Sequence, residues 1–384
     1  MRMLFDLYSA QPGSEGSKFH GGGEYVKRIF KCLIEEFPDV ADIEVFFNQD
    51  AFLDDWILEL IKKNNIKTID VKQKAGIQEL LDQRNYDVFY SGIPYDFNYL
   101  RFPQKTVSIG TIHGLRSLEK LTDKYAIKYE SGKKKLDVIK SLLFPKIRMK
   151  HAKDYFEKGI KKFDKLICVS NHTRYAVKSF FPDTDISKFA VYYTPAKYVG
   201  EIDYNAYEDV INGLGKYILL IGLNRWIKNG YRALLALDSV FQDDLLPEYK
   251  VVLIGGLPEN IKKSIKCKNK FVLLSYVETD LLENLYKYCD VFLYPTLNEG
   301  FGMPPLEAMR YGRTCVVSAV CSVPEICGDA VYYVNPYDIN EIRNRVIMAT
   351  EKKIDEEKIS AQYKKIVNRQ ETDLRDACKY ILGI

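Results

Sequence analysis

Short apolar runs alternate with longer amphipathic ones along this 384-residue chain. In the first half, Met3–Tyr8, Ile43–Phe47, Thr68–Val71, Asp87–Tyr90, Thr106–Ile112, Lys165–Val169 and Phe189–Tyr193 read as strands. Gly23–Phe37, Asp55–Lys63 and Asn171–Phe181 read as helices between them. In the second half the strands are Tyr217–Ile221, Lys250–Ile254, Phe271–Leu274, Asp290–Tyr294, Thr314–Ser318 and Val331–Val334. Near-continuous apolar strands separated by helices are the βαβ pattern of parallel sheets covered on both faces. The pattern lapses from Thr194 to Lys216 and then restarts, which places a linker there. The expectation is an α/β protein of two doubly wound parallel-sheet domains, 1–200 and 201–359, with a final helix over Glu356–Leu382. Ligands of such sheets bind beyond the C-terminal strand ends.

Composition is that of full globular cores, with 47% hydrophobic residues. No run approaches the 18 or so apolar residues of a membrane-spanning helix. Met1–Tyr8 carries charge inside a short apolar run and reads as a first strand rather than a signal peptide. The eight cysteines form no C-x-x-C, and Cys315, Cys321 and Cys327 have no histidine near them at ligand spacing. They read as reduced, mostly buried thiols of a cytoplasmic protein. The net charge of +4 is unevenly spread. Residues 116–165 hold 16 Lys or Arg against 7 Asp or Glu, a local +9, which leaves −5 elsewhere. Basic and apolar blocks alternate there, which suits an anionic membrane face. No nucleic-acid-binding module accompanies the charge.

The chemistry concentrates in Asn298-Glu-Gly-Phe-Gly-Met-Pro-Pro-Leu-Glu-Ala-Met309, after the strand that ends at Tyr294. A strand, a Gly-rich loop and a proline-started helix make a site for phosphate. Glu299 and Glu307 would be ~12 Å apart on a helix, too far for the ~5 Å carboxylate pair of a retaining glycosidase. Glu299 therefore faces what the loop encloses, and Glu307 suits a ligand diol. Phosphate with diols on either side describes a nucleotide sugar. Arg225 and Lys228, three apart in Ile221–Asn229, can converge to neutralise a departing diphosphate. Gly21-Gly22-Gly23 follows the first strand, where backbone amides can close on an anion. His113 ends a strand beside Gly114, with His20 a weaker candidate next to the glycine loop. Ser170 reads as a helix cap and Arg174 as a loose acceptor candidate. Asp183-Thr-Asp185 spells a D-x-D metal motif, but it follows Phe181-Pro182 in a turn, and no metal is expected.

The stretch from Asp290 to Asp338, with its Glu-x7-Glu, Tyr311-Gly312-Arg313 and Ser322-Val-Pro-Glu-Ile-Cys-Gly-Asp-Ala330, resembles the nucleotide-binding half of family-four retaining glycosyltransferases. The match is dense there and looser over most of the remainder. The resemblance implies the GT-B fold, two Rossmann-like domains facing across a cleft, with the last helix crossing back to the first domain. It implies Glu299 against the donor sugar, Glu307 on the ribose hydroxyls, and the amides of Gly300, Phe301 and Gly302 on sugar and phosphate oxygens. Arg225 and Lys228 would meet the diphosphate. Gly22 and Gly23 would face the donor from the first domain, His113 the sugar or acceptor, and the region of Tyr276 the base. A metal-independent enzyme with no cofactor follows, moving sugar from a nucleotide-diphosphate donor to a saccharide or lipid-linked saccharide in bacterial surface-polysaccharide or glycolipid synthesis. A nucleotide-sugar epimerase, a phosphorylase and an inactive binding module of the same fold are the alternatives.

Overall fold

The computed structural model describes residues 1–12, 20–74, 76–198 and 200–384. The chain divides into two compact units. The first comprises Met1–Leu115, His151–Tyr198 and Val367–Ile384. Its sheet contains β1 (Arg2–Asp6), β2 (Asp42–Phe47), β3 (Lys67–Asp70), β4 (Val88–Ser91), β5 (Val107–Ile112), β6 (Lys165–Cys168) and β7 (Phe189–Val191). Their order is β3-β2-β1-β4-β5-β6-β7, and every pairing is parallel. The second unit comprises Arg116–Lys150 and Val199–Ile366. It contains β8 (Lys216–Ile221), β9 (Tyr249–Ile254), β10 (Phe271–Leu274), β11 (Val291–Tyr294), β12 (Thr314–Ser318) and β13 (Tyr332–Val334). These run β10-β9-β8-β11-β12-β13, again all parallel.

Alternation along each strand builds two cores per sheet. In the second unit Ile218, Leu220, Val251, Leu253, Val291, Leu293 and Val316 fill one face. Tyr217, Leu219, Val252, Phe292, Tyr294, Cys315 and Val317 fill the other. Strand order reverses direction between β1 and β4 in the first sheet, and between β8 and β11 in the second. A crevice opens at such a reversal, beyond the C-terminal strand ends.

Two features depart from the sequence reading. The stretch from Thr194 to Lys216 holds a helix, Glu208–Leu214, whose Ile211 and Leu214 are buried in the second core. Residues 116–150, placed in the first domain by their position along the chain, are counted with the second unit. The reason is a buried fork. Arg232 Nη1 and Nη2 donate to Asp123 Oδ1 and Oδ2 at 3.1 and 3.0 Å, and Tyr231 N donates to Tyr129 Oη at 2.9 Å. The long helix Glu356–Leu382 contributes to the first unit from Val367 onward. Gln370 Nε2 donates to Thr194 O at 2.5 Å, Tyr193 N donates to Asp373 Oδ2 at 2.8 Å, and the Arg369 guanidinium lies 3.6 Å from the Tyr193 ring centroid.

Candidate functional site

Two turns meet at the reversal in the second sheet: Gly222–Asn229 after β8, and Pro295–Gly302 after β11. Leu297 N donates to Ile227 O at 2.8 Å, and Asn229 Nδ2 donates to Pro295 O at 2.9 Å, so each turn fixes the other. Asn229 sits in the left-handed region at φ 60°, which asparagine tolerates better than most residues. Gly222 has φ 71°, and a Cβ there would lie 3.3 Å from Lys228 Cγ.

Lys228 and Glu299 form the centre. Lys228 Nζ donates to Glu299 Oε1 at 2.6 Å, and their side chains are 13% and 10% exposed. The same oxygen accepts Tyr294 Oη at 2.7 Å and Thr296 Oγ1 at 2.8 Å. Lys228 Nζ also contacts the Tyr294 hydroxyl. Burial works to raise the Glu299 carboxyl, but the Lys228 charge and the three donors more than offset it, so the group sits below the usual carboxylate range and is ionised at neutral pH. Burial lowers the Lys228 ammonium, against the pull of Glu299, and the positive charges of Arg225 and Arg116 push it further down. Arg225 and Arg116 thus act on the cation that Glu299 holds. Arg116 comes from the 116–150 segment and was not singled out in the sequence.

The Gly-Phe-Gly turn is held from behind. Ser322 Oγ donates to Glu299 O at 3.2 Å and Phe301 O at 2.8 Å, and Ser318 Oγ donates to Thr296 O at 2.6 Å. Gly302 has φ 104° and precedes the seven-residue helix Met303–Met309. Pro304 and Pro305 occupy the first turn of that helix and carry no N–H. The helix start is therefore poorer in donors than the sequence reading assumed, and the candidate donors to an anion there are the amides of the turn before it. Glu307, half-buried on this helix, accepts Tyr286 Oη at 2.8 Å on Oε2. Tyr276 stands apart. It follows the edge strand β10, two strand spacings or about 10 Å from β8, and is 63% exposed.

The remaining candidates lie in the first unit. His20 precedes the helix Gly21–Glu36; its Nδ1 accepts Gly23 N at 3.1 Å, and its Nε2 contacts Gln11 O at 3.2 Å. That makes it a helix cap. A Cβ on Gly22 would lie 3.5 Å from the His113 ring. His113 Nε2 contacts Gly92 O at 3.0 Å, and the ring packs edge-on against Tyr25. Burial lowers the His113 pKa to about 4, so the ring is neutral at pH 7 and, donating from Nε2, keeps its lone pair on Nδ1. Ser170 caps the helix Asn171–Phe180 through Thr173 N at 3.1 Å. Asp185 caps a short turn through Ser187 N at 2.9 Å, as turn residues do.

Residues 208–366 match the family model of glycosyl transferases group 1. Over that region the chain is similar to the group 1 glycosyl transferases. The match covers most of the second unit and includes Arg225, Lys228, Glu299 and Glu307. The serotype-specific mannosyltransferase WbdA of Escherichia coli is 28% identical over 210 residues, 50% of this chain and 25% of that protein. The O-antigen chain mannosyltransferase B of Escherichia coli is 41% identical over 76 residues, 20% of each. The chain thus spans about a quarter or less of the length of these curated relatives. Among solved structures, the glycosyltransferase WaaG, involved in lipopolysaccharide biosynthesis, aligns over 100% of both chains at TM-score 0.64 and 16% identity. Anabaena Alr3699/HepE in complex with UDP aligns over 100% of both chains at TM-score 0.66 and 15% identity. At such identity the likeness establishes the fold, which is GT-B: two parallel-sheet α/β units carrying a group 1 domain.

Proposed function

We propose that this protein is a metal-independent, retaining glycosyltransferase that moves a mannose-type sugar from a nucleotide-diphosphate donor to a hydroxyl of a saccharide or lipid-linked saccharide, in bacterial surface-polysaccharide synthesis. The observation that carries the reading is the buried Lys228–Glu299 pair at the β8–β11 reversal, whose lysine also feels the positive charges of Arg225 and Arg116. The donor diphosphate lies against these cations and the amides of Gly300, Phe301 and Gly302. As the glycosidic bond breaks, charge grows on the leaving phosphate, and preorganised cations stabilise that charge most in the transition state. They do so without a divalent ion. Glu299 orients the sugar and is a poor covalent nucleophile, because one of its oxygens already accepts three donors. Same-face attack by the acceptor hydroxyl, with its proton passing to the leaving phosphate, fits a site of this kind. Glu307 holds the ribose diol. The first unit takes the acceptor, with the neutral His113 ring as its candidate residue, and Gly22 and Gly23 of that unit are candidates for the donor. The mannosyltransferase names of the relatives support the sugar, and the UDP found with the Anabaena protein supports a nucleotide donor.

A thermal-shift screen against UDP-, GDP- and dTDP-sugars tests the reading. Donor at 100 times its dissociation constant stabilises by ~2.7 kcal/mol. One donor class should raise the melting temperature and be turned over only with acceptor present. Conversion of donor without acceptor would contradict the transferase assignment.

A further inference from the structure

The segment 132–150 exposes far more apolar surface than its place on a soluble protein requires. The helix Gly132–Leu143 buries none of its residues. Leu136, Ile139 and Leu143 share one face at three- and four-residue spacing. Leu136 and Leu143 are 58% and 67% exposed. Where this helix ends and the next begins at Pro145, Phe144 and Ile147 are each 56% exposed. Arg148 Nη1 donates to Ser141 Oγ at 2.6 Å and ties the corner together. Charge surrounds this patch. Residues 132–150 contain seven Lys or Arg (133, 134, 135, 140, 146, 148 and 150) against Asp137 alone, a net +6. Scattered apolar residues on a surface are ordinary, but four large apolar side chains between 136 and 147, each more than half exposed amid a run of cations, mark an interaction site.

We infer that the corner formed by residues 132–150 is a docking surface for an anionic lipid membrane, with Leu136, Leu143, Phe144 and Ile147 entering the headgroup boundary and the lysines meeting lipid phosphates. A second copy of the chain fits poorly, because a two-fold pairing of this patch would set one +6 rim against another. Nucleic acid fits poorly because the stripe is aliphatic and offers little for bases to stack on. A lipid surface takes both halves of the pattern at once. The inference stands on this surface alone. A lipid-linked acceptor is the substrate class such a surface would serve.

Sedimentation of the full chain with vesicles tests it. Binding is expected to phosphatidylcholine vesicles containing phosphatidylglycerol, to weaken steeply with salt, and to be nearly lost on pure phosphatidylcholine. Replacing Lys133, Lys134 and Lys135 by Gln should lower the partition coefficient on the order of a hundredfold. Leu143→Ser with Phe144→Ser should also abolish binding, while the melting temperature and the nucleotide-sugar shift stay as in the parent chain. Those two controls separate a failed surface from a failed fold or a failed transferase assignment. Absence of binding to anionic vesicles at low salt would overturn the inference. So would binding unchanged in both variants, or a dimer in sedimentation velocity that the Leu143/Phe144 variant loses.

Discussion

At the scale of single residues, Lys228 carries the greatest demand. It is an interior cation whose charge is held by one carboxylate, and the proposed reaction needs that charge on the leaving phosphate. Lys228→Ala should lower kcat by roughly 10²- to 10³-fold, the cost of removing one preorganised donor, with donor affinity changed far less. Steady-state kinetics and calorimetry separate the two. Removing one partner of a buried pair also destabilises the fold by about 3–5 kcal/mol, so the kinetics belong at a temperature where the variant stays folded. Gly302→Ala should cost about 1–3 kcal/mol, because φ 104° is strained for any residue with a Cβ. A Gly302→Ala protein with parental denaturant stability would contradict that. His113 makes a prediction in pH. Its folded pKa of about 4 lies below the ordinary value of 6.5. Between those values the unfolded chain binds more protons, so His113 makes stability fall as pH drops from 6.5 towards 4, by about 3 kcal/mol in all. Asp6 works the other way: burial raises its pKa to about 6, so the folded state protonates first and gains stability over much of the same range. The check is therefore the difference between parent and His113→Gln, which should shrink the acid-side loss. The positions of Glu299, Glu307, Arg225 and Lys228 were legible as motifs. Tyr294 and Thr296 were not, because a strand-end tyrosine and a turn threonine are ordinary until a carboxylate is seen to accept from both.

At the scale of elements, the site rests on a relay that begins outside its own loops. Asp123 holds Arg232 through both nitrogens; Arg232 Nη1 also donates to Asn229 Oδ1 at 3.0 Å; Asn229 Nδ2 then donates to Pro295 O and to Pro336 O at 2.6 Å. Asn229 directly follows Lys228, and Pro295 opens the turn that carries Glu299. Burial works to raise the Asp123 carboxyl, but the Arg232 fork outweighs it, so the group sits below its usual range. Asp123→Asn should leave donor affinity within a few-fold while kcat falls about tenfold, and a double-mutant cycle with Arg232→Lys should show coupling of about 0.5–3 kcal/mol. Additive effects would mean that the fork merely packs. The strands were readable because continuous Val, Ile, Leu and Phe runs have few other uses. The relay was not, because Asp123 and Arg232 lie 109 residues apart and no local spacing joins them. The helix Glu208–Leu214 was missed for a related reason: Val210, Ile211 and Leu214, three apolar residues in a seven-residue helix, give too little periodicity to see.

At the scale of the whole chain, two parallel sheets each reverse strand order once, and apart from Tyr276 on the sheet edge each places its candidate residues beyond the strand ends at or near that reversal. His113, Gly22 and Gly23 belong to the first unit; Arg225, Lys228, Glu299 and Glu307 belong to the second. Among the described residues no helix is long and apolar enough to cross a membrane. The group 1 match ends at Ile366, where the second unit ends within the helix Glu356–Leu382. The donor function is thus predicted to reside in the second unit. Isothermal titration of the parent chain, Glu307→Ala and Lys228→Ala with the nucleotide sugar chosen by the thermal screen tests this most directly. The account predicts one donor per chain for the parent, binding at least tenfold weaker in Glu307→Ala from loss of a charged hydrogen-bond acceptor, and near-parental affinity with slow turnover in Lys228→Ala. Parental affinity in Glu307→Ala together with normal turnover in Lys228→Ala would contradict it.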